Sequence, residues 1–288
     1  MSLKKCTRFI FLIFATILFG VSVLSPNNAN ASSTNDIFRS AYNIGRQKHI
    51  LTNTNMTFKD FKAICKNSLF PSFLKQLKAN PETTFQQYIA KDHYEVPIHR
   101  VGDHPQTISL KKANVTASQT DNSSTDQSDY QMEPGDILII YGTSSFKEAK
   151  IFGHCAIAIS SNDILHMPGM NLGTQQWTKK RFFDYYTGRG SYIEVYRMTS
   201  HPEYAKEAAQ YAYNDMYKTD SPVYNLEPWL YQKEKSYCSK YVYLAYWFGA
   251  AHAALKRFVT GFHYIMPHHL IYDFSSGYSP ADIYKVTE

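Results

Sequence analysis

The chain has 288 residues, with 30 Lys and Arg against 24 Asp and Glu and a formal net charge of +6. That length buries a core without covalent staples, and no basic tract argues for nucleic acid as a partner. Its 4 cysteines do not make a disulfide-built fold, which small secreted domains need and a chain of this size does not.

At the N-terminus, Lys4, Lys5 and Arg8 precede an apolar run over residues 9–24, Ser25-Pro26 breaks it, and Ala29-Asn30-Ala31 has small-x-small form. This order predicts a signal peptide over residues 1–31, cut after Ala31. The run falls short of the ~20 residues that span a bilayer. Cys6 stands before it rather than at its end, unlike a lipoprotein attachment site. Cleavage leaves 27 basic residues against 24 acidic. The expected product is a secreted, extracytoplasmic protein able to make peripheral contact with an anionic cell wall or membrane surface. It keeps Cys65, Cys155 and Cys238, an odd number that leaves at least one thiol without a partner inside the chain.

Residues 32–110 read as a small helical region. Asp36 is a candidate cap for a segment carrying Ile37, Phe38, Ala41 and Ile44, and Thr57 opens another with Phe58, Phe61, Ile64 and Cys65 on one stripe. Two further helices follow Pro71 and Pro81. His49, His93, His99 and His104 lie scattered among polar residues and form no constellation. Residues 111–130 turn to Ser, Thr, Asn, Asp and Gln, the composition of a disordered linker, so a second domain is expected over 131–288.

That domain opens with Gly135-Asp136 and the buried strand Ile137 to Tyr141. Gly153-His154-Cys155-Ala156-Ile157-Ala158-Ile159 is a second strand whose alternation puts His154 with the small residues and Cys155 on the other face, there to pack. After the turn at Ser160 to Asp163, Ile164 to Met167 returns. With an odd-length turn, His166 shares the face of His154, close enough for one imidazole to orient the other; with an even one the two face apart. A strand over 192–197, a helix from Glu203 to Met216, and a last turn or short helix from Ser279 to Tyr284 are expected around them.

Ser236-Tyr237-Cys238-Ser239-Lys240 then leads into a helix, read from Tyr241, Leu244, Ala245 and Phe248 at three- and four-residue steps. A cysteine on the first turn faces free backbone N–H groups and the positive end of the helix dipole, which favour thiolate. Cys238, His154 and His166 together supply a nucleophile, a base and an orienting group.

Gly135-Asp136-Ile137-Leu138, the His154 strand and Tyr237-Cys238-Ser239-Lys240-Tyr241-Val242 resemble the three blocks of the YiiX/YebB-like branch of the NlpC-type cysteine hydrolases, in which histidine precedes cysteine in the chain. The resemblance implies an α+β fold, a circularly permuted papain-like domain whose antiparallel sheet packs on the Cys-bearing helix. It implies Cys238 as nucleophile, His154 as base, His166 as third polar residue and Tyr224 as a substrate-lining residue. Many bacterial members have an acidic residue at the third position, whereas the related lecithin retinol acyltransferase-like proteins have histidine. The implied activity is hydrolysis of amide or peptide bonds through an acyl-enzyme, without a cofactor. The implied substrates are cell-wall peptides, with lipid amides, esters and acyl transfer as the alternative. Two rivals stand beside it: a metal site drawn from His154, His166, His263, His268 and His269, which lacks any H-E-x-x-H or paired Cys-x-x-Cys spacing, and a non-catalytic wall-binding module using the 23 Tyr and 18 Phe.

Overall fold

The computed structural model describes residues 31–53, 56–77, 81–91, 93–98, 100, 102–110, 130–141, 153–169, 171–188, 190–249, 252–259, 261 and 263–288. The expected signal segment before Ala31 and all of the expected linker over 111–130 except its last residue lie outside the described residues; that last residue, Tyr130, is buried. Among those described, no helix is long and apolar enough to cross a membrane.

The architecture is mixed α+β. Its N-terminal helices are α1 (Ala31–Gln47), α2 (Phe58–Ile64), a π-helical turn Cys65–Leu69, α3 (Phe70–Gln76) and α4 (Phe85–Lys91). Thr57 caps α2 as expected, its side chain accepting from the Asp60 N–H. Asp36, expected as a cap, lies inside α1. The helices enclose an aromatic core of Phe38, Phe61, Phe73, Phe85 and Tyr88, into which Met266 reaches from the C-terminal part.

The sheet has seven strands in the order β1-β9-β6-β2-β3-β4-β5. They are β1 (Gln106–Ser109), β2 (Ile137–Tyr141), β3 (His154–Ala158), β4 (Asp163–His166), β5 (Gln175–Thr178), β6 (Tyr192–Arg197) and β9 (Ala281–Thr287). Two findings correct the sequence reading. The tail, expected as a turn or short helix, is strand β9: its backbone pairs with β6 on one side and with β1 on the other. The sheet is mixed rather than antiparallel, because β1 joins the outer edge of β9 in parallel. That pairing satisfies an otherwise open row of backbone groups, and it draws the end of the N-terminal region into the sheet.

One sheet face carries Ile137, Ile139, Tyr141, Cys155, Ile157 and Leu165. It is covered by α6 (Pro202–Tyr211), continued as a π-helical stretch Ala212–Asp220, and by α7 (Cys238–Gly249). Ala205, Ala208 and Ala212 keep α6 thin enough for α7 to lie against it. The other face carries Leu138, Ile140, Ala156 and Ala158 and is covered by Phe182, Phe183 and Tyr186 of α5 (Lys179–Tyr186). Gly135 makes the turn into β2 at φ +91, where a Cβ would strike the Ala205 carbonyl. Next to it, Asp136 accepts from the Tyr130 hydroxyl and the Arg197 guanidinium.

Candidate active site

α7 is buried nearly all round, and its tyrosine hydroxyls find backbone acceptors as buried polar groups must. Tyr241 donates to the Ala212 carbonyl at 2.8 Å, Tyr243 to Lys256 at 2.8 Å and Tyr246 to Gly135 at 2.5 Å. Ser239 donates to the Ile265 carbonyl, and Lys240 Nζ donates to the carbonyls of Trp229 and Lys235. Burial lowers the Lys240 ammonium to about 8. These bonds lock the helix and the preceding two-stranded ribbon of β7 (Val223–Tyr224) and β8 (Lys235–Ser236) together. Cys238 is the first residue of that locked helix, as its sequence context predicts.

Across from it stands β3. Gly153, at φ +71, leads into His154, and a Cβ there would lie 2.9 Å from the His268 ring. Ala156 pairs with His166 between β3 and β4, so the two histidines share a face. Their rings meet, with His154 Nε2 and His166 Nδ1 3.1 Å apart. The odd-length turn that the sequence left open is the one present. Around the pair, Tyr186 stacks on His154 at 5.0 Å, Trp177 meets the His166 ring edge-on at 4.4 Å, and Phe182 closes the box.

The Cys238 thiol is held well below its ordinary range. The largest cause is a hydrogen bond from the Cys155 side chain; the His154 ring and the Cys155 backbone N–H add to it against the opposing effect of burial. His166 is pushed well below the usual imidazole value by burial, then by the neighbouring His154 and Arg181, so it stays neutral. The proton positions follow. With His154 Nε2 turned to His166, Nδ1 is the nitrogen left for the thiol. To accept that proton, His154 must carry its own hydrogen on Nε2 and donate it to His166 Nδ1. His166 then keeps its hydrogen on Nε2, a buried atom without a hydrogen-bond partner that sits within the aromatic box.

Tyr224 is buried against this group, and burial, then the adjacent Cys238 charge, keep its hydroxyl protonated. The expected quartet of Cys238, His154, His166 and Tyr224 therefore comes together. Cys155 turns away from His154, as alternation requires, and is fully buried in the core between the sheet and α7. Trp177 and Tyr186 are also site neighbours that the sequence reading passed over. Thr178 as a cap followed by Phe182, Phe183 and Tyr186 is the signal that marks α5. The histidines of the metal alternative scatter: His268 binds the Ile140 carbonyl and stacks on Tyr141, while His263 stacks on Phe258. Among the described residues no group of three or more His, Cys, Asp or Glu side chains could hold a metal ion.

Residues 106–284, which include all of these side chains, match the family described as lipoprotein N-acylation protein, LnsA-like. The chain belongs to this LnsA-like family. An uncharacterized 30.3 kDa protein of Bacillus thuringiensis is 37% identical over 159 residues, or 53% of this chain and 57% of the relative. The chain thus spans little more than half the length of that relative. No solved structure matches it. The LnsA-like span begins at β1, so the strand that joins the sheet edge belongs to the family's unit while α1 to α4 precede it.

Proposed function

We propose that the protein is a thiol acyltransferase of permuted papain-like type, acting outside the cytoplasm at a membrane surface. It moves an acyl group from a lipid ester to an amine of a lipoprotein. The observation that carries this reading is the buried Cys238–His154–His166 relay inside a span that matches a lipoprotein N-acylation family. His154 takes the Cys238 proton, and the thiolate attacks the donor's ester carbonyl. The carbon–oxygen bond breaks, the alcohol leaves with the proton held on His154, and a thioester remains on Cys238. An amine then attacks that thioester, His154 accepts the amine's proton, the carbon–sulfur bond breaks, and the amide departs. The Cys238 N–H, free at the helix start, faces the oxyanion formed in both steps. Tyr224 lines the acyl donor's approach with a hydroxyl that remains a donor. A cell-wall peptide, the first expectation from sequence, draws no specific support from the family, whereas the lipid alternative does.

The test uses the chain from residue 32 onward with phosphatidylglycerol vesicles carrying an isotope-labelled acyl chain and a lipopeptide with a free amine. Mass spectrometry should find labelled acyl-Cys238 and labelled amide, and neither with Cys238→Ala. Amide formed equally by Cys238→Ala would sink the reading; release of peptidoglycan fragments by the native chain alone would return it to a wall hydrolase.

A further inference from the structure

We infer that Arg181 and Trp177 are positioning residues of the relay: the Arg181 guanidinium clamps the Trp177 indole, and the indole holds the His166 ring with Nδ1 turned to His154. The inference rests on the Cys238–His154–His166 relay proposed above, and it adds a support that reaches the protein surface.

His166 needs such a support. Its Nδ1 lies 3.1 Å from His154 Nε2, with the Tyr186 hydroxyl at 3.5 Å, whereas its Nε2 is buried and has no hydrogen-bond partner. With that end of the imidazole unanchored, packing has to resist a flip that would exchange the two nitrogens. Of the rings around it, Trp177 stands nearest, T-shaped to His166 with centroids 4.4 Å apart.

Two local devices put the indole there. On β5, Gln175 pairs opposite His166, and Trp177, two residues on, shares that face. The indole N–H donates to the Gln175 side-chain oxygen at 2.9 Å, which fixes the ring from within its own strand. Thr178 then ends β5 and caps α5, its hydroxyl accepting from the Arg181 N–H. That places Arg181 on the first helical turn, with its guanidinium carbon 3.9 Å from the centre of the Trp177 ring. A planar guanidinium stacks on an aromatic face, so the indole touches both the exposed Arg181 and the buried His166.

Orientation and charge act together. A proton added at His166 Nδ1 would be donated to His154 Nε2; His154 would then carry its hydrogen on Nδ1 and could not accept the Cys238 proton. The charged or titratable groups facing His166 are His154 on β3 and Arg181 and Tyr186 on α5, with the neutral Gln175 and Trp177 from β5. Burial, then His154 and Arg181, oppose a charge on His166, so the side chain that clamps the indole also disfavours the wrong protonation state.

The test is NMR of the full chain with isotope-labelled imidazole nitrogens, reading the tautomer and protonation of His166 against pH in the native protein, Arg181→Gln, Arg181→Lys and Trp177→Phe, with folding checked by thermal melting. Native His166 should carry its hydrogen on Nε2 alone and titrate below the ordinary imidazole value of about 6.5. Arg181→Gln should mix the tautomers and raise the midpoint by about half a pH unit, and the acid limb of acyl-Cys238 formation should move with it. Lysine keeps the charge without the planar stack, so Arg181→Lys should restore the midpoint but not the single tautomer. Trp177→Phe should mix the tautomers and lower turnover about tenfold; the two Arg181 variants decide the matter should it not fold. Ordinary packing by Trp177 and a solvated surface charge on Arg181 predict altered melting with tautomer and acid limb unmoved, and that result overturns the clamp. The expected tautomers with no acyl-Cys238 formed in the native chain support the clamp and overturn the transferase reading.

Discussion

His154 Nε2 and His166 Nδ1 face each other at 3.1 Å across two neighbouring strands, placed there by the pairing of Ala156 with His166. In the proposed relay His166 would be a neutral imidazole that holds the base by accepting a hydrogen bond and brings no charge to stabilise the imidazolium.

Removing that acceptor frees the His154 ring. His166→Ala should lower acyl-transfer turnover on the order of 10²-fold, while His166→Gln, whose amide oxygen accepts the same bond, should recover part of the loss. Iodoacetamide labelling of Cys238 above pH 9 should be unchanged in both. Native turnover from the alanine variant would remove His166 from the relay.

The same neutrality sets an acid limit. Burial first, then His154 and Arg181, hold the folded His166 value below its unfolded one, near 6.5. The unfolded chain therefore binds the extra proton first, and stability present above about pH 6.5 is lost as pH falls below it. Melting temperature should drop between pH 7 and pH 5 more steeply in the native chain than in His166→Gln. Parallel slopes would place the acid sensitivity elsewhere.

An alkaline limit is expected from the far side of the sheet. Glu194 on β6 and Asp282 on β9 are buried together, and burial, with the Glu194 charge adding at Asp282, raises them to about 7 and about 9. Both folded values stand above the unfolded carboxyl values near 4. The stability from the retained protons is thus whole at low pH and declines as pH rises through 7 to 9. Asp282→Asn, neutral at every pH, should flatten the melting temperature across that window. A slope unchanged by the substitution would acquit the pair.

Gly153 has no room for a side chain. At φ +71, with a Cβ 2.9 Å from the His268 ring, which is itself stacked on Tyr141, Gly153→Ala should cost about 2 kcal/mol or more of stability. It should also misplace His154, the next residue, so that turnover falls further than melting alone explains. Thermal melts and turnover at a temperature where both forms are folded check this.

Strands β2, β3, β4 and β6 are legible because their alternation or apolar runs survive burial on one or both faces, and the α7 start is legible from helical spacing after Cys238. Strand β9 is not, since one of its buried positions is a carboxylate, Asp282. Nor is β1, a four-residue edge strand whose partner lies 178 residues away in the Gln106 and Tyr284 pairing. Helix α5 escaped notice although Thr178 and its aromatic stripe mark it. For the histidine pair, local sequence leaves the parity of one turn open, and the strand register decides it.

By itself, then, the sequence determined the chemistry available: a cysteine at a helix start, a histidine on a strand, a second histidine one hairpin away, and their order along the chain. Local periodicity suffices for that, because it reports which residues share a face. Only the tertiary structure decided which helix covers which face. Cys155 could be read as turned away from His154, but what covers it depends on α7 packing against that side of the sheet, an arrangement of residues more than 80 apart that no local pattern encodes.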